Sequence, residues 1–179
     1  IEMANRIIDA DGHICETKAL WEEYVPRAYR EQTIRIERSA DGQDRTWVNG
    51  VIREDLLPAR ACVPNGMDDP DNPPTWSDIT PGSHDGAARV AVLDEEGIER
   101  SLLFPSMYLL SGDIADVEVA AAACHAYNEW ISDMCRDGSG RLDAVGLVPL
   151  QSVAAATKEV AHIAQLGLKG VLFRPERYN

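Results

Sequence analysis

The stretch richest in chemistry is IIDADGHICE, residues 7–16. It starts as a buried strand reads, with Ile7-Ile8, and then places Asp9, Asp11, His13 and Glu16 within eight positions. Three carboxylates and an imidazole at a strand end are costly to bury unless something pairs with them, and a divalent cation would do so. On extended backbone Asp11 and His13, two residues apart, point to the same side and can reach one ion. A hard carboxylate oxygen together with an imidazole nitrogen suits Zn²⁺, Mn²⁺ or Fe²⁺. Asp9 alternates with them, so it either shares their face or orients the histidine from behind. Glu16, at the start of the following helix, is open to three roles: ligand, base or first-turn carboxylate. The competing reading is a capped and solvated strand end, because Asp-x-His is a short motif and Asp-Gly is ordinary turn chemistry.

The elements that must position these groups follow from periodicity. Residues 6–11 read as a short buried strand, and Thr17 can cap a brief helix, KALWEEY, that stops at Pro26. TIRIER (33–38) and RTWVNGVI (45–52) are β-like runs joined through Asp41-Gly42, which predicts a hairpin. Residues 58–86 are crowded with Pro, Asp, Asn and Gly, the composition of a long loop or lid. Beyond it the pattern is regular. AARVAVLDEEGI predicts a helix closed by Gly97, followed by the strand RSLLFP. The helix 117–138 precedes the strand LDAVGLVPL, and a helix capped by Ser152 and closed by Gly167 precedes the strand GVLFRP. Near-continuous apolar strands alternating with amphipathic helices mean a parallel sheet covered by helices. Four such units fit half of a (β/α)8 barrel or a small open α/β sheet. No Gly-rich nucleotide-binding loop follows any strand.

In a barrel the chemistry sits at the C-terminal strand ends. Ser106 and Arg174 end two of the later strands and could line the mouth, with the Arg174 fork suited to a substrate carboxylate. Arg53, Arg60 and Trp76 of the insertion could close over a substrate. The other histidines read blandly: His84 as a turn residue, His125 as a packing or hydrogen-bonding residue, His162 as solvated.

With 179 residues, 45% hydrophobic and 26% charged, the chain has the size and balance of one globular domain. A net charge of −13 argues against nucleic acid and anionic membranes as partners. No apolar run approaches the ~20 residues that span a bilayer. The four cysteines show no Cys-x-x-Cys pairing; Cys124 and Cys135 fall in an apolar helical pattern, and a cytoplasmic protein is expected.

The chain also resembles the amidohydrolase-related family that includes aminocarboxymuconate-semialdehyde decarboxylase and γ-resorcylate decarboxylase. The resemblance rests on IIDADGHICE, RVAVLDEEGIERSLLFPS, AYNEWISDMC, GRLDAVGLVPLQ and AQLGLKGVLFRP in that order, and it covers most of the chain outside residues 30–80. It implies an α/β chain forming the first four βα units of a distorted (β/α)8 barrel. Residues 1–179 would be the N-terminal half of a single barrel domain, with an insertion at 28–86 after the first strand. It also implies one divalent metal ion, zinc foremost, with manganese or iron as alternatives. The family's first-strand ligand pair, His-x-His or Glu-x-His, falls on Asp11 and His13, with aspartate in the first place. The family's later ligands would lie beyond Asn179, so a second chain or a further segment is expected to complete the barrel, and a homo-oligomer is expected. The implied activity on a small-molecule substrate is hydrolysis of an amide, ester or thioester. Non-oxidative decarboxylation of an aromatic or unsaturated acid is the alternative, and a non-catalytic half-barrel scaffold is the third reading.

Overall fold

The computed structural model describes residues 6–53 and 74–174. Four parallel strands carry the architecture: β1 (Ile7–His13), β5 (Ile98–Phe104), β6 (Leu142–Leu147) and β7 (Gly170–Leu172), in the spatial order β1-β5-β6-β7. The crossovers after β5 and β6 are the helices α2 (Val117–Asp137) and α3 (Val153–Leu166), and α1 (Gly86–Glu96) leads into β5. The helix boundaries have local causes. Asp85 accepts the Ala88 N–H at the start of α1, Asp116 accepts the N–H groups of Glu118 and Val119 at α2, and Ser152 accepts that of Ala155 at α3. Gly97 and Gly167 close α1 and α3 with φ of 69° and 77°, a left-handed conformation that glycine adopts without strain.

Between β1 and α1 lies a π-helical turn, Leu20–Tyr24, which buries Leu20 and Trp21. A separate antiparallel sheet follows, made of β2 (Arg35–Arg38), β3 (Asp44–Val48) and β4 (Val51–Arg53). The hairpin around Asp41-Gly42 is present. The run 45–52, expected as one strand, is instead folded back on itself at Asn49-Gly50, where φ is 54° and 73°. Two consecutive positive φ angles are what a tight two-residue hairpin turn needs, and Asn-Gly supplies them cheaply. Most of the long loop expected over 58–86, including Arg60, lies outside the described residues; its last part forms two short 3₁₀ turns, Trp76–Asp78 and Pro81–Ser83.

The core sits between the parallel sheet and α2. Ala120, Ala123, Cys124, Tyr127, Ile131 and Met134 recur at helical spacing along α2 and are all buried. Tyr127 stacks on Tyr108 at 5.9 Å between ring centres. Among the described helices none is long and apolar enough to cross a membrane. Cys124 and Cys135 are free thiols, as their pattern suggested. Cys15 is disulfide-bonded, a state that oxidising surroundings favour and that the cysteine spacing did not reveal.

Burial pushes the thiols of Cys124 and Cys135 up to about 12. Alkylation proceeds through the thiolate, so Cys124 is expected to stay unmodified in the native protein at about pH 8 and to react on unfolding. Peptide mass spectrometry after labelling reads this directly. Rapid native labelling of Cys124 would contradict the packing of α2 on the sheet.

Candidate metal centre

The strand β1 is irregular where its chemistry lies. It pairs Asp9 with Ser101 and Gly12 with Leu103, so three steps on β1 oppose two on β5. This extra residue is a β-bulge, a device that re-aims side chains at strand ends. Without it Asp9, Asp11 and His13 would alternate onto one face. With it, Asp9 turns toward the side covered by α1. There its Oδ2 accepts the Ser101 hydroxyl at 2.6 Å and lies 3.6 Å from the Arg89 guanidinium, while its Oδ1 accepts the Asp11 N–H at 3.1 Å. Asp9 therefore fixes the backbone of the bulge, with the Asp11 N–H, Ser101 and Arg89 as its polar partners. Arg89 also reaches the His13 carbonyl at 3.4 Å, tying α1 to the strand end.

Gly12 is required by this arrangement. A Cβ at that position would lie 2.3 Å from Ser101 Oγ, 2.6 Å from Asp9 Oδ2 and 2.8 Å from Arg89 Nη2. Any side chain there displaces the side-chain ends of Ser101, Asp9 and Arg89.

Asp11 and His13 do converge. His13 Nε2 lies 3.7 Å from Asp11 Oδ1, with the side chains 46% and 82% exposed. That separation is too long for a direct hydrogen bond but within the span of one ion held at about 2.0–2.2 Å from each atom. On its other edge, His13 Nδ1 donates to the Pro105 carbonyl at 2.9 Å. A carbonyl only accepts, so Nδ1 carries the proton and the neutral ring keeps its Nε2 lone pair toward Asp11. A backbone carbonyl on the far nitrogen is a common orienting partner of metal-binding histidines. The donor set therefore fits a borderline divalent ion.

Glu16, a ligand candidate in the sequence, is placed away from Asp11 and His13, in the core. It is fully buried, and its two oxygens accept the backbone N–H groups of Ser106, Met107 and Tyr108 at 2.9–3.0 Å. Burial pushes its carboxyl above the ordinary value, against the pull of those N–H donors. Its work is to cap the 3₁₀ turn Met107–Asp113 that follows β5. This has a consequence for His13, because the capped turn begins directly after the Pro105 carbonyl.

Ser106 is at the site: its hydroxyl lies 3.4 Å from His13 Nδ1. Arg174 follows β7 at the same end of the sheet. Three strand spacings put it roughly 14 Å from β1, a distance on the scale of a small substrate. Arg53 pairs with Asp113 at 2.6 Å, and the Trp76 N–H is held by Asp44 at 2.6 Å, so both anchor the insertion. The sequence reading missed Ser101 and Arg89. The only signal for either was indirect, since a glycine inside a strand often marks a bulge or a close approach.

A half barrel with a histidine-carboxylate pair at the C-terminal end of its first strand is the class that fold and site define. No protein-family model matches the chain, and no curated protein does. Solved structures match over nearly its whole length. An amidohydrolase from Mycobacterium avium subsp. paratuberculosis K-10 is similar with a TM-score of 0.76 and 22% identity over 98% of this chain. The Metarhizium anisopliae IDCase in apo form gives 0.60 and 18% over 94%. A dihydroxybenzoic acid decarboxylase from Polaromonas sp. JS666, with bound manganese and the inhibitor 2-nitroresorcinol, gives 0.53 and 17% over 96%. The chain covers 51%, 42% and 39% of those proteins, so it spans about half their length or less. The fold is thus a partial (β/α)8 barrel, one of the two arrangements that the alternation of strands and helices allowed and the one that the family resemblance implied.

Two substitutions test the site's supports. Glu16→Ala is expected to destabilise the protein by about 3 kcal/mol or more, since three N–H groups lose their acceptor. Glu16→Gln should fall between Ala and wild type in urea unfolding. A loss below about 1 kcal/mol for Glu16→Ala would contradict the capping role. Gly12→Ala should cost about 1–3 kcal/mol through overpacking and should weaken Zn²⁺ or Mn²⁺ binding at Asp11 and His13. Unchanged metal affinity in that variant would mean that the bulge does not set the ligand geometry.

Proposed function

We propose that this chain contributes the first-strand share of the active site of a metal-dependent enzyme of the amidohydrolase type, a hydrolase of an amide, ester or thioester. The observation that carries this reading is the His13 ring. It is locked through Nδ1 on the Pro105 carbonyl and presents Nε2 toward the Asp11 carboxylate at the strand end where barrel enzymes do their chemistry. The similar fold of an amidohydrolase supports it.

Asp11 and His13 would hold a single divalent ion, with zinc preferred by this nitrogen–oxygen pair and manganese the first alternative. When bound, such an ion supplies Lewis acidity toward a water or a substrate carbonyl. The chain's own residues do the positioning. Pro105 fixes the histidine tautomer, Asp9, Arg89 and Ser101 hold the bulge, and the Ser106 hydroxyl stands beside the ring to meet a polar substrate group. Arg174 is proposed to bind a substrate carboxylate at the opposite side of the mouth. Catalytic zinc sites use three protein ligands. The remaining ligands and the acid/base residue are proposed to come from further barrel strands, in the same polypeptide or in a partner chain.

Decarboxylation of an aromatic or unsaturated acid is the second reading, favoured by the fold shared with the Polaromonas dihydroxybenzoic acid decarboxylase. Both readings share one test. In the complete enzyme, His13→Ala should lower the bound metal by one ion per chain and lower activity by more than about 100-fold, beyond the roughly 10–100-fold typical of losing an outer hydrogen-bond partner. Metal analysis and turnover on amide, ester and aromatic-acid panels measure it. Unchanged metal content and unchanged function in a folded His13→Ala protein would instead leave this half barrel as a scaffold.

A further inference from the structure

On the outer face, α2 and α3 bring together a second set of ligand-type side chains. His125 and Glu129 are four residues apart on α2, and Glu159 and His162 are three apart on α3, so each pair shares a helix face. One nitrogen of His125, one of His162 and one carboxylate oxygen of Glu159 all lie within 4.8 Å of one another. The two imidazoles stack with ring centres 4.3 Å apart, and His125 Nδ1 is 3.3 Å from Glu159 Oε2. Glu129 Oε1 stands 2.9 Å from His162 Nε2. The group opens into a groove of about 580 Å³ between the helices, walled also by Ala121, Ala155 and Lys158.

Two independent features point to a cation. Glu159 is only 6% exposed, yet no lysine or arginine pairs with it among the described residues. A buried carboxylate without a fixed cation is unfavourable. It is nevertheless held in place. Its Oε1 accepts Asn128 Nδ2 at 2.8 Å, and the fully buried Asn128 is itself locked on both backbone groups of Leu147, at 2.9 and 2.7 Å. That leaves Oε2 directed at the histidines, with the outer support that ligating carboxylates have. The second feature is His162, expected to be solvated. Its Nε2 is inaccessible to water and makes no well-directed hydrogen bond, although the Glu129 oxygen is close.

We propose that His125, Glu159 and His162 form a zinc site bridging α2 and α3, separate from Asp11 and His13, with Glu129 the nearest further oxygen. Two imidazoles and a carboxylate, with no thiolate, are a ligand set that zinc takes readily. Ligand distances of about 2.0–2.2 Å require the side chains to close by roughly an ångström, which the half-exposed His125 is free to do. Lys158 carries its charge on a long stem that can turn to solvent.

The test uses the full chain carrying Asp11→Ala and His13→Ala, which removes the strand-end ligands. This protein is titrated with Zn²⁺ by calorimetry and with Co²⁺ by visible absorption. One ion per chain is expected, with a Tm that rises with zinc concentration. Adding His125→Gln or His162→Gln should each weaken zinc binding by at least about tenfold. No stoichiometric zinc uptake by the Asp11→Ala/His13→Ala protein overturns the proposal. So does unchanged affinity in the His125→Gln variant, whose half-exposed side chain can be replaced without disturbing the core, as circular dichroism would confirm.

Discussion

One buried carboxylate organises the candidate active-site end of the sheet. Glu16 leaves β1, enters the core and accepts three consecutive backbone N–H groups at the start of the turn after β5. The orphan donors of that turn would otherwise be buried without partners, a cost of about 1–3 kcal/mol each. Because the turn starts at Ser106, fixing it also fixes the carbonyl of Pro105, and that carbonyl sets the proton position on His13. The ligand-type histidine is therefore oriented by a residue that never touches it.

The bulge in β1 solves a related problem. A run of alternating acidic residues would crowd several like charges onto one face, where they repel one another. By inserting one residue, the strand sends Asp9 to the helix-covered side, where Arg89 and Ser101 receive it, and leaves Asp11 with His13 on the other. Gly12 permits this because the space a side chain would occupy is already filled by the Asp9–Ser101–Arg89 cluster. The carboxylate of Asp9 becomes a structural anchor, and that of Asp11 is left beside His13.

The outer helices use the same logic of a buried acid with a dedicated partner. Asn128 connects α2 to the end of β6 through Leu147 and to α3 through Glu159. Helix packing over β6 is thus specified by polar groups as well as by the apolar stripe of α2. A fully satisfied buried amide of this kind selects one arrangement of the two helices over nearby alternatives.

Much of this was legible in the chain itself. Periodicity, capping residues and terminal glycines gave the alternation of strands and helices, because those signals act within a few residues. The pairing of Asp11 with His13 was legible too, since strand geometry alone puts positions i and i+2 on one side. What sequence could not assign was the partner of each charge. Asp9 and Glu16 look equivalent to Asp11 in the linear chain, and only the tertiary structure separates them, through donors on Arg89, Ser101 and the segment 106–108, 80 to 92 positions away. The Asn49-Gly50 turn was missed by reading 45–52 as one strand, although its signal is local. His125 and His162 looked inert because each helix was read alone, and their juxtaposition exists only once α2 and α3 pack side by side. Local propensity fixes elements, but the fate of a polar group depends on which distant donor or acceptor the fold delivers to it, and that is decided in three dimensions.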